Sequence, residues 1–403
     1  DLDYTDELTY LPDQKHFIHA SEQDGYKHLY LYDMDGKLVR QITQGNWNVS
    51  DMQAFDAKES VIYFTSTEVS PLERHIYRIG LSGKGKQKLS ERSGWHAPEF
   101  GPDARYYLDY FSAAAAVPQV SLHQAPNGKQ LRMLEDNQAL AQKLEGYQIH
   151  PKEFFTFKNE EGIELNGWII KPHNFDENKK YPVLMYVYGG PGSQEVTNAW
   201  DYRNYFWHQA LASKGYAIAC IDNRGTGGRS AEFKKATYAQ LGKLELTDQI
   251  SAARYLGNLP YIDRNRIGIW GWSYGGYMSS LAITMGADVF KMAIAVAPVS
   301  TWRFYDTIYT ERYLKRPQDN PEGYDQYSPI NHVEKLKGDF LLIHGTADDN
   351  VHFQNAIELQ NALIAANKQF ESFYYPNRNH SIAGGNTRFH LFTMMTNFVE
   401  DHL

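Results

Sequence analysis

The chain has one cysteine in 403 residues, so no disulfide can form within it and a cross-linked framework is excluded. Cys220 lies inside the apolar run Tyr216-Ala-Ile-Ala-Cys-Ile221 and reads as a buried structural thiol. No apolar run approaches the roughly 18 residues of a membrane-spanning helix. There is no leader-like segment at the start either. The opening Asp1-Leu-Asp-Tyr-Thr-Asp-Glu7 reads like the middle of a domain, so an upstream portion is expected to be missing. Long basic runs are absent and the net charge is −8, which argues against nucleic acid as a partner. Zinc-ligand spacing and phosphate loops are lacking too. Gly225 and Gly227 follow a strand-like run but lack the third glycine of a dinucleotide loop. No metal and no cofactor is expected.

What is present is an ordinary globular composition, 42% hydrophobic and 22% charged, long enough for two or three domains and a large core. Aromatic residues reach 14%, with 29 tyrosines, which favours β-rich architecture and aromatic-lined pockets.

Residues 1–147 carry an internal repeat. Phe17-Ile-His-Ala-Ser21, Ile62-Tyr-Phe-Thr-Ser66 and Tyr106-Tyr-Leu-Asp-Tyr110 align at spacings of 45 and 44. Each precedes a second β-like run, at His28–Tyr32, His75–Ile79 and Gln119–His123, then a polar turn and a further strand-like segment. Strand-rich units of this period read as β-propeller blades. Three cannot close a ring, since about four to eight are needed, so either the remaining blades lie upstream or in another chain, which is the expectation preferred, or the repeat is an open stack of sheets. The run Ala113-Ala-Ala-Ala116 has no explanation at this level.

From 148 to 403 the pattern becomes α/β. Glu153–Phe157 and Leu165–Ile170 read as antiparallel strands. Buried strands are expected at 181–188, 216–221, 267–270, 292–297, 340–344 and 370–375, alternating with helices at 205–214, 246–256, 354–367 and 389–402. That alternation predicts a mostly parallel sheet with helices on both faces and functional loops at the strands' C-terminal ends.

One stretch organises this region: a short apolar run, then Gly271-Trp-Ser-Tyr-Gly275, then small and apolar residues suited to a helix. A strand, a sharp Gly-x-Ser-x-Gly turn and a helix make a nucleophile elbow that exposes Ser273. A serine hydroxyl needs a base and a carboxylate to orient that base, and in an α/β-hydrolase they follow in the order acid, then histidine. Asp348 and Asp349 both lie just past the strand 340–344, with Asp348 preferred because it is nearer the strand end. His380 alone combines the required order with a strand-end position. His344 lies inside a strand, His352 sits beside the acid, and His390 falls in the closing helix. The oxyanion needs donors. The Tyr274 N–H supplies one, and the loop Tyr188-Gly-Gly-Pro-Gly192 supplies another from the Tyr188 phenol or a glycine N–H. Trp302, Tyr305, Tyr309 and Tyr313 recur at three and four residues, which puts them on one face of a helix. They form either a packed helix face or an aromatic wall beside Ser273.

The strings around these residues resemble the dipeptidyl peptidase IV branch of the prolyl oligopeptidase family. They are Gly271-Trp-Ser-Tyr-Gly-Gly-Tyr277, Ala295-Val-Ala-Pro-Val-Ser300, Tyr309-Thr-Glu-Arg-Tyr313, His344-Gly-Thr-Ala-Asp-Asp-Asn-Val-His-Phe-Gln354 and Asn379-His380. The resemblance runs more weakly back through the repeat, including Leu134-Glu-Asp-Asn137. It implies an α/β-hydrolase domain (148–403) preceded by the last blades of a β-propeller (1–147). It implies Ser273 as nucleophile, Asp348 as orienter and His380 as base, with the Tyr188 hydroxyl beside the Tyr274 N–H in the oxyanion hole. Tyr274, Val299, Trp302, Tyr305, Tyr309 and Val351 would take a proline ring, and Asn350 would contact the preceding carbonyl. The implied substrates are peptides with a free N-terminus and penultimate proline or alanine, cut to release X-Pro or X-Ala dipeptides. A homodimer, a bacterial source and a periplasmic or extracellular location go with it. The propeller glutamate pair and arginine that grip the substrate's amino terminus in this family have no matching motif in 1–147. Alternatives are a prolyl tripeptidyl or acylaminoacyl peptidase or esterase of the same fold, or a non-catalytic propeller interaction protein.

Overall fold

The computed structural model describes residues 8–147, 149–202 and 204–403. The opening stretch 1–7 and residue 148, where the hydrolase region is expected to begin, lie outside the described residues. The chain divides into two compact units. One comprises 1–151, 197–202 and 227–234, the other 152–196, 203–226 and 235–403.

The first unit contains three four-stranded antiparallel sheets, each formed by consecutive strands. They are β1 (Leu8–Tyr10), β2 (His16–Ser21), β3 (His28–Asp33) and β4 (Leu38–Gln41); β5 (Val49–Asp56), β6 (Val61–Ser66), β7 (His75–Gly80) and β8 (Gln87–Lys88); and β9 (Trp95–Phe100), β10 (Tyr106–Ala113), β11 (Ala116–Gln124) and β12 (Gln130–Glu135). The repeat extends to hydrogen bonding. The Thr43 hydroxyl meets both the His28 ring and the Leu29 N–H at 3.0 Å. The Ser90 hydroxyl meets the His75 ring at 2.9 Å and the Ile76 N–H at 3.0 Å. Apolar side chains of successive sheets pack together, Ile18, Leu29 and Trp47 against Ile62 and Phe64. The alanine run is the turn of a hairpin: β10 ends at Ala113 and β11 begins at Ala116. Ala114 is buried there and donates its N–H to Asn198 Oδ1 at 3.0 Å, which explains the small side chain. A short helix, α1 (Gln138–Glu145), follows.

The second unit is built on an eight-stranded sheet in the order β13-β14-β16-β15-β17-β18-β19-β20. Its strands are β13 (Glu153–Lys158), β14 (Glu164–Ile170), β15 (Tyr181–Tyr186), β16 (Ala217–Asp222), β17 (Ile262–Trp272), β18 (Met292–Val296), β19 (Asp339–Gly345) and β20 (Glu371–Tyr375). The pairings β13–β14 and β14–β16 are antiparallel and the rest parallel. Strands β15, β16 and β18 are buried along their whole length, as a sheet covered on both faces requires. The helices are α2 (Tyr205–Ser213), α3 (Ala231–Lys235, in the 227–234 excursion apart from its last residue), α4 (Lys243–Gly257), α5 (Tyr274–Met285), α6 (Thr307–Leu314), α7 (Pro321–Asp325), α8 (Gln354–Ala365) and α9 (Thr387–His402).

Alternation along β17 assigns the two faces. Trp270 packs edge-on against Trp207 of α2, with ring centroids 4.8 Å apart, and Trp207 meets Phe392 of α9 at 5.3 Å. Residues of the opposite parity point the other way. Ile267, three residues back, lies against the end of α4 at Gly257, and Gly271 abuts the start of α5. The parallel strands β15, β17, β18 and β19 run side by side, so the loops after them open on one edge of the sheet.

Candidate active site

Strand β17 ends at Trp272 and α5 begins at Tyr274. Ser273 alone makes the turn, with φ 61° and ψ −116°, a conformation that costs a non-glycine residue about 1–3 kcal/mol and persists only where the surroundings enforce it. The surroundings here are backbone. A Cβ on Gly275 would stand 2.0 Å from the Val187 carbonyl oxygen, and one on Gly271 2.4 Å from the same atom. The turn is pinned on its other side, where the Ser273 N–H donates to Val296 O at 2.9 Å. The small residues of the motif are therefore dictated by contact with the ends of β15 and β18.

Asp348 follows β19, and His380 follows β20. The two loops are laced together: the Thr346 N–H donates to Tyr375 O at 3.0 Å, and the Ala347 N–H to Arg378 O at 3.0 Å. The His380 ring meets the Asp348 carboxylate through Nδ1 and Oδ2 at 2.7 Å. The His380 carbonyl accepts from the indole of Trp272 at 3.0 Å, which ties the histidine loop to the residue before Ser273. Asp349 is exposed. Asp348 is buried because its Oδ1 accepts the N–H groups of Asn350 and Val351, both at 3.0 Å. Burial alone would push this carboxyl up. Hydrogen bonds from His344 and His380, then the charge of His380 and the Asn350 N–H, outweigh it and hold the group well below the usual carboxylate range. It is therefore ionised at neutral pH, the state that orients a neighbouring imidazole.

His344, a strand histidine by its position in the sequence, also reaches this carboxylate. It is wholly buried, with Nε2 2.8 Å from Val351 O and 3.2 Å from Asp348 Oδ2. The signal was its spacing, four residues before Asp348 across a strand end.

Tyr188 stands half-buried beside Tyr274, their ring centroids 6.1 Å apart. Its loop is held by Asn223, whose side-chain amide donates to Gly189 O at 3.0 Å. Trp302, Tyr305, Tyr309 and Tyr313 do meet, but not on a single helix as their spacing predicts. Trp302–Phe304 is a 3-10 turn and α6 starts only at Thr307. The break lies at Asp306, whose carboxylate caps α6 by accepting the Tyr309 N–H at 2.8 Å. The rings still form one continuous wall. Trp302 contacts Tyr274 at 5.4 Å, Tyr305 at 5.8 Å and Tyr309 at 5.9 Å, and Tyr309 contacts Tyr313 at 4.8 Å. Val299 and Val351 are buried. Burial, then the nearby Asp306, pushes the Tyr305 phenol up to about 12, so it stays a donor, and it holds Asn350 Oδ1 at 2.7 Å. A polar groove of about 830 Å³ adjoins the wall, lined among others by Tyr305, Asn350 and His380.

A strained serine, an imidazole on an ionised buried carboxylate and an aromatic wall form an arrangement suited to acyl transfer. Comparison with known proteins agrees with it. Residues 202–403 match the prolyl oligopeptidase family, and residues 2–118 match the dipeptidyl peptidase IV N-terminal region. The chain is 38% identical to prolyl endopeptidase FAP of Mus musculus over 393 residues, covering 94% of this chain and 51% of that protein. It is 38% identical to dipeptidyl peptidase 4 of Felis catus over 395 residues, covering 94% and 50%. The crystal structure of Porphyromonas gingivalis dipeptidyl peptidase 4 superposes with a TM-score of 0.95 at 45% identity, covering 98% of this chain and 56% of that one. The chain thus spans about half the length of the curated relatives it matches.

Proposed function

The chain belongs to the dipeptidyl peptidase IV branch of the prolyl oligopeptidase family, and from that premise we propose that it carries the serine peptidase centre of an enzyme releasing X-Pro or X-Ala dipeptides from free N-termini. The 2.7 Å contact between His380 Nδ1 and Asp348 Oδ2, on a loop bonded to the elbow, is the observation that carries the reading.

In this mechanism the proline or alanine side chain enters the wall of Tyr274, Val299, Trp302, Tyr305, Tyr309 and Val351, a setting suited to a rigid apolar ring. Asn350 contacts the carbonyl before it. Ser273 Oγ attacks the scissile carbonyl carbon while His380 Nε2 takes its proton. The new C–O bond leaves a tetrahedral oxyanion, which the Tyr274 N–H and the Tyr188 hydroxyl stabilise. The C–N bond then breaks and His380 returns the proton to the leaving amine. Water repeats the sequence on the acyl-enzyme and restores Ser273. No cofactor enters any step. A homodimer outside the cytoplasm goes with the same reading.

A second reading has a specific support: similarity to a protein named prolyl endopeptidase equals that to one named dipeptidyl peptidase 4. The test is a panel of Gly-Pro-, Ala-Ala-Pro-, acetyl-Gly-Pro- and acetyl-Ala-anilides, with fluorophosphonate labelling of wild type and Ser273→Ala. Labelling that requires Ser273 and preference for Gly-Pro-anilide support the proposal. Preference for the acetylated dipeptide supports endopeptidase action, and a folded protein that takes no label refutes both.

A further inference from the structure

Beneath the elbow lies a carboxyl that the proposed chemistry does not use. Glu245 sits in the first turn of α4 and is wholly buried. Its Oε1 accepts the hydroxyl proton of Tyr274 at 2.8 Å. The backbone N–H groups of Gly242 and of Glu245 itself also face this carboxyl, yet its other oxygen, Oε2, is buried with no partner at hydrogen-bond geometry in the protein, an arrangement that costs free energy. The neighbouring Tyr277 shows what simple packing needs: its equally buried hydroxyl is satisfied by backbone, at 3.1 Å from Leu241 O and 2.8 Å from Tyr327 O. Tyr274 uses a carboxyl instead.

Tyr274 has two parts with different anchors. Its backbone is fixed by the elbow, where Gly271 and Gly275 press on Val187 and the Tyr277 N–H closes on Ser273 O at 3.0 Å. Its ring reaches between Tyr188 at 6.1 Å and Trp302 at 5.4 Å, and the far end of that ring is held by Glu245. We infer that Glu245 is a positioning residue that sets the shape of the proline pocket, by clamping the Tyr274 phenol so that its ring stands at a fixed distance from Trp302. This rests on the pocket assignment proposed above. Burial pushes the Glu245 carboxyl up to about 7, the bonds it accepts opposing that rise, so near neutrality protonated and ionised forms coexist, while the Tyr274 phenol stays protonated. Either form holds the ring through Oε1. Loss of the clamp frees the ring, not the oxyanion N–H, so it changes substrate choice and leaves the reactivity of Ser273 intact.

The experiment uses the full-length native protein and the variants Glu245→Gln, Glu245→Leu, Tyr274→Phe and Glu245→Leu/Tyr274→Phe. KM and kcat/KM are measured for Gly-Pro- and Gly-Ala-anilides, alongside the fluorophosphonate labelling rate. Glu245→Gln retains an acceptor and stays within about threefold of wild type throughout. Glu245→Leu and Tyr274→Phe raise KM for Gly-Pro-anilide about 10-fold and shrink the proline-over-alanine preference by a similar factor, the scale of a disturbed apolar pocket. The double variant is no worse than the worse single one, because both remove the same bond. Labelling of Glu245→Leu changes by less than about threefold. A folded Glu245→Leu with unchanged KM and preference overturns the inference, as does labelling of that variant that falls in step with turnover. If Glu245→Leu does not fold, Tyr274→Phe alone decides, by KM and by the proline-over-alanine preference: unchanged values overturn the inference. A wild type that takes the label but leaves both anilides intact is a different result: it overturns the pocket assignment itself.

Discussion

Replacing Asp348 by asparagine removes one charge and almost no volume, so its consequences follow from hydrogen-bond geometry. The carboxylate receives donors on both oxygens. Oδ1 accepts the N–H groups of Asn350 and Val351, and Oδ2 faces His380 Nδ1 at 2.7 Å and His344 Nε2 at 3.2 Å. An asparagine oxygen can keep the two backbone donors. Its NH₂ group then faces two imidazole nitrogens. His344 still has Val351 O as acceptor, but His380 Nδ1 must turn from donor to acceptor. That tautomer carries its proton on Nε2, where it cannot receive the proton of Ser273. A loss of roughly 10³- to 10⁴-fold in kcat/KM is expected, equivalent to about 4–5.5 kcal/mol of transition-state stabilisation. Asp349→Asn is the control; it is exposed and should stay within about twofold. The same substitution has a stability signature of fixed sign. The folded-state pKa of Asp348 is depressed, so its contribution is present above the unfolded value near 3.8 and is lost as pH falls through the lower folded value. Asp348→Asn should therefore be less stable than wild type at pH 7, with the gap closing in acid. The assays are Gly-Pro-anilide turnover, fluorophosphonate labelling and urea midpoints from pH 3 to 8. An Asp348→Asn enzyme within about tenfold of wild type, or an equal loss in Asp349→Asn, refutes the reasoning.

Three further outcomes follow from the same geometry. Gly275→Ala places a Cβ 2.0 Å from Val187 O; it should destabilise the fold by at least about 1–3 kcal/mol in thermal melts and abolish labelling of Ser273. Tyr188→Phe should lower kcat about 10²- to 10³-fold with little change in KM, the scale of one lost oxyanion donor; a loss under about threefold reassigns that donor to a glycine N–H of the same loop. Glu245→Gln should stabilise the protein relative to wild type at pH 8, with the advantage vanishing toward pH 4.5, because a raised carboxyl pKa makes the wild type lose stability as pH climbs from 4.5 to about 7. At 1.36 kcal/mol per pH unit the gap approaches about 3 kcal/mol, and comparing urea midpoints of variant and wild type removes the background of other titrating groups.

The sequence was most readable where local chemistry and global topology agree. Parallel strands separated by helices place their following loops on one edge, so three residues scattered over more than a hundred positions, Ser273, Asp348 and His380, are expected together before any contact is known. The repeat was readable because its central strands carry aromatic and β-branched residues at a fixed period. The first strand of each sheet was not. β9, for instance, contains Pro98, tolerated because β9 is the edge of its sheet. The wall was half readable. Its rings do meet, but spacing alone cannot reveal that Asp306 stops one turn and starts a helix, because an aspartate in a polar stretch suits a helix surface as well as a cap.

The choice between Asp348 and Asp349 shows where a sequence argument reaches its end. Adjacent residues of identical chemistry in one loop differ only in where their side chains turn, and that is fixed by partners remote in sequence or invisible as motifs: two backbone N–H groups on one oxygen and two histidines on the other. Glu245 is the stronger case. It lies 28 residues before Ser273 on an amphipathic helix, where a glutamate in the first turn reads as ordinary dipole compensation. Only the fold turns it inward under Tyr274, where its oxygen meets the phenol. Strand-end positions are displayed by a sequence. What stands behind the wall, such as a buried carboxyl on a tyrosine hydroxyl, belongs to the packing.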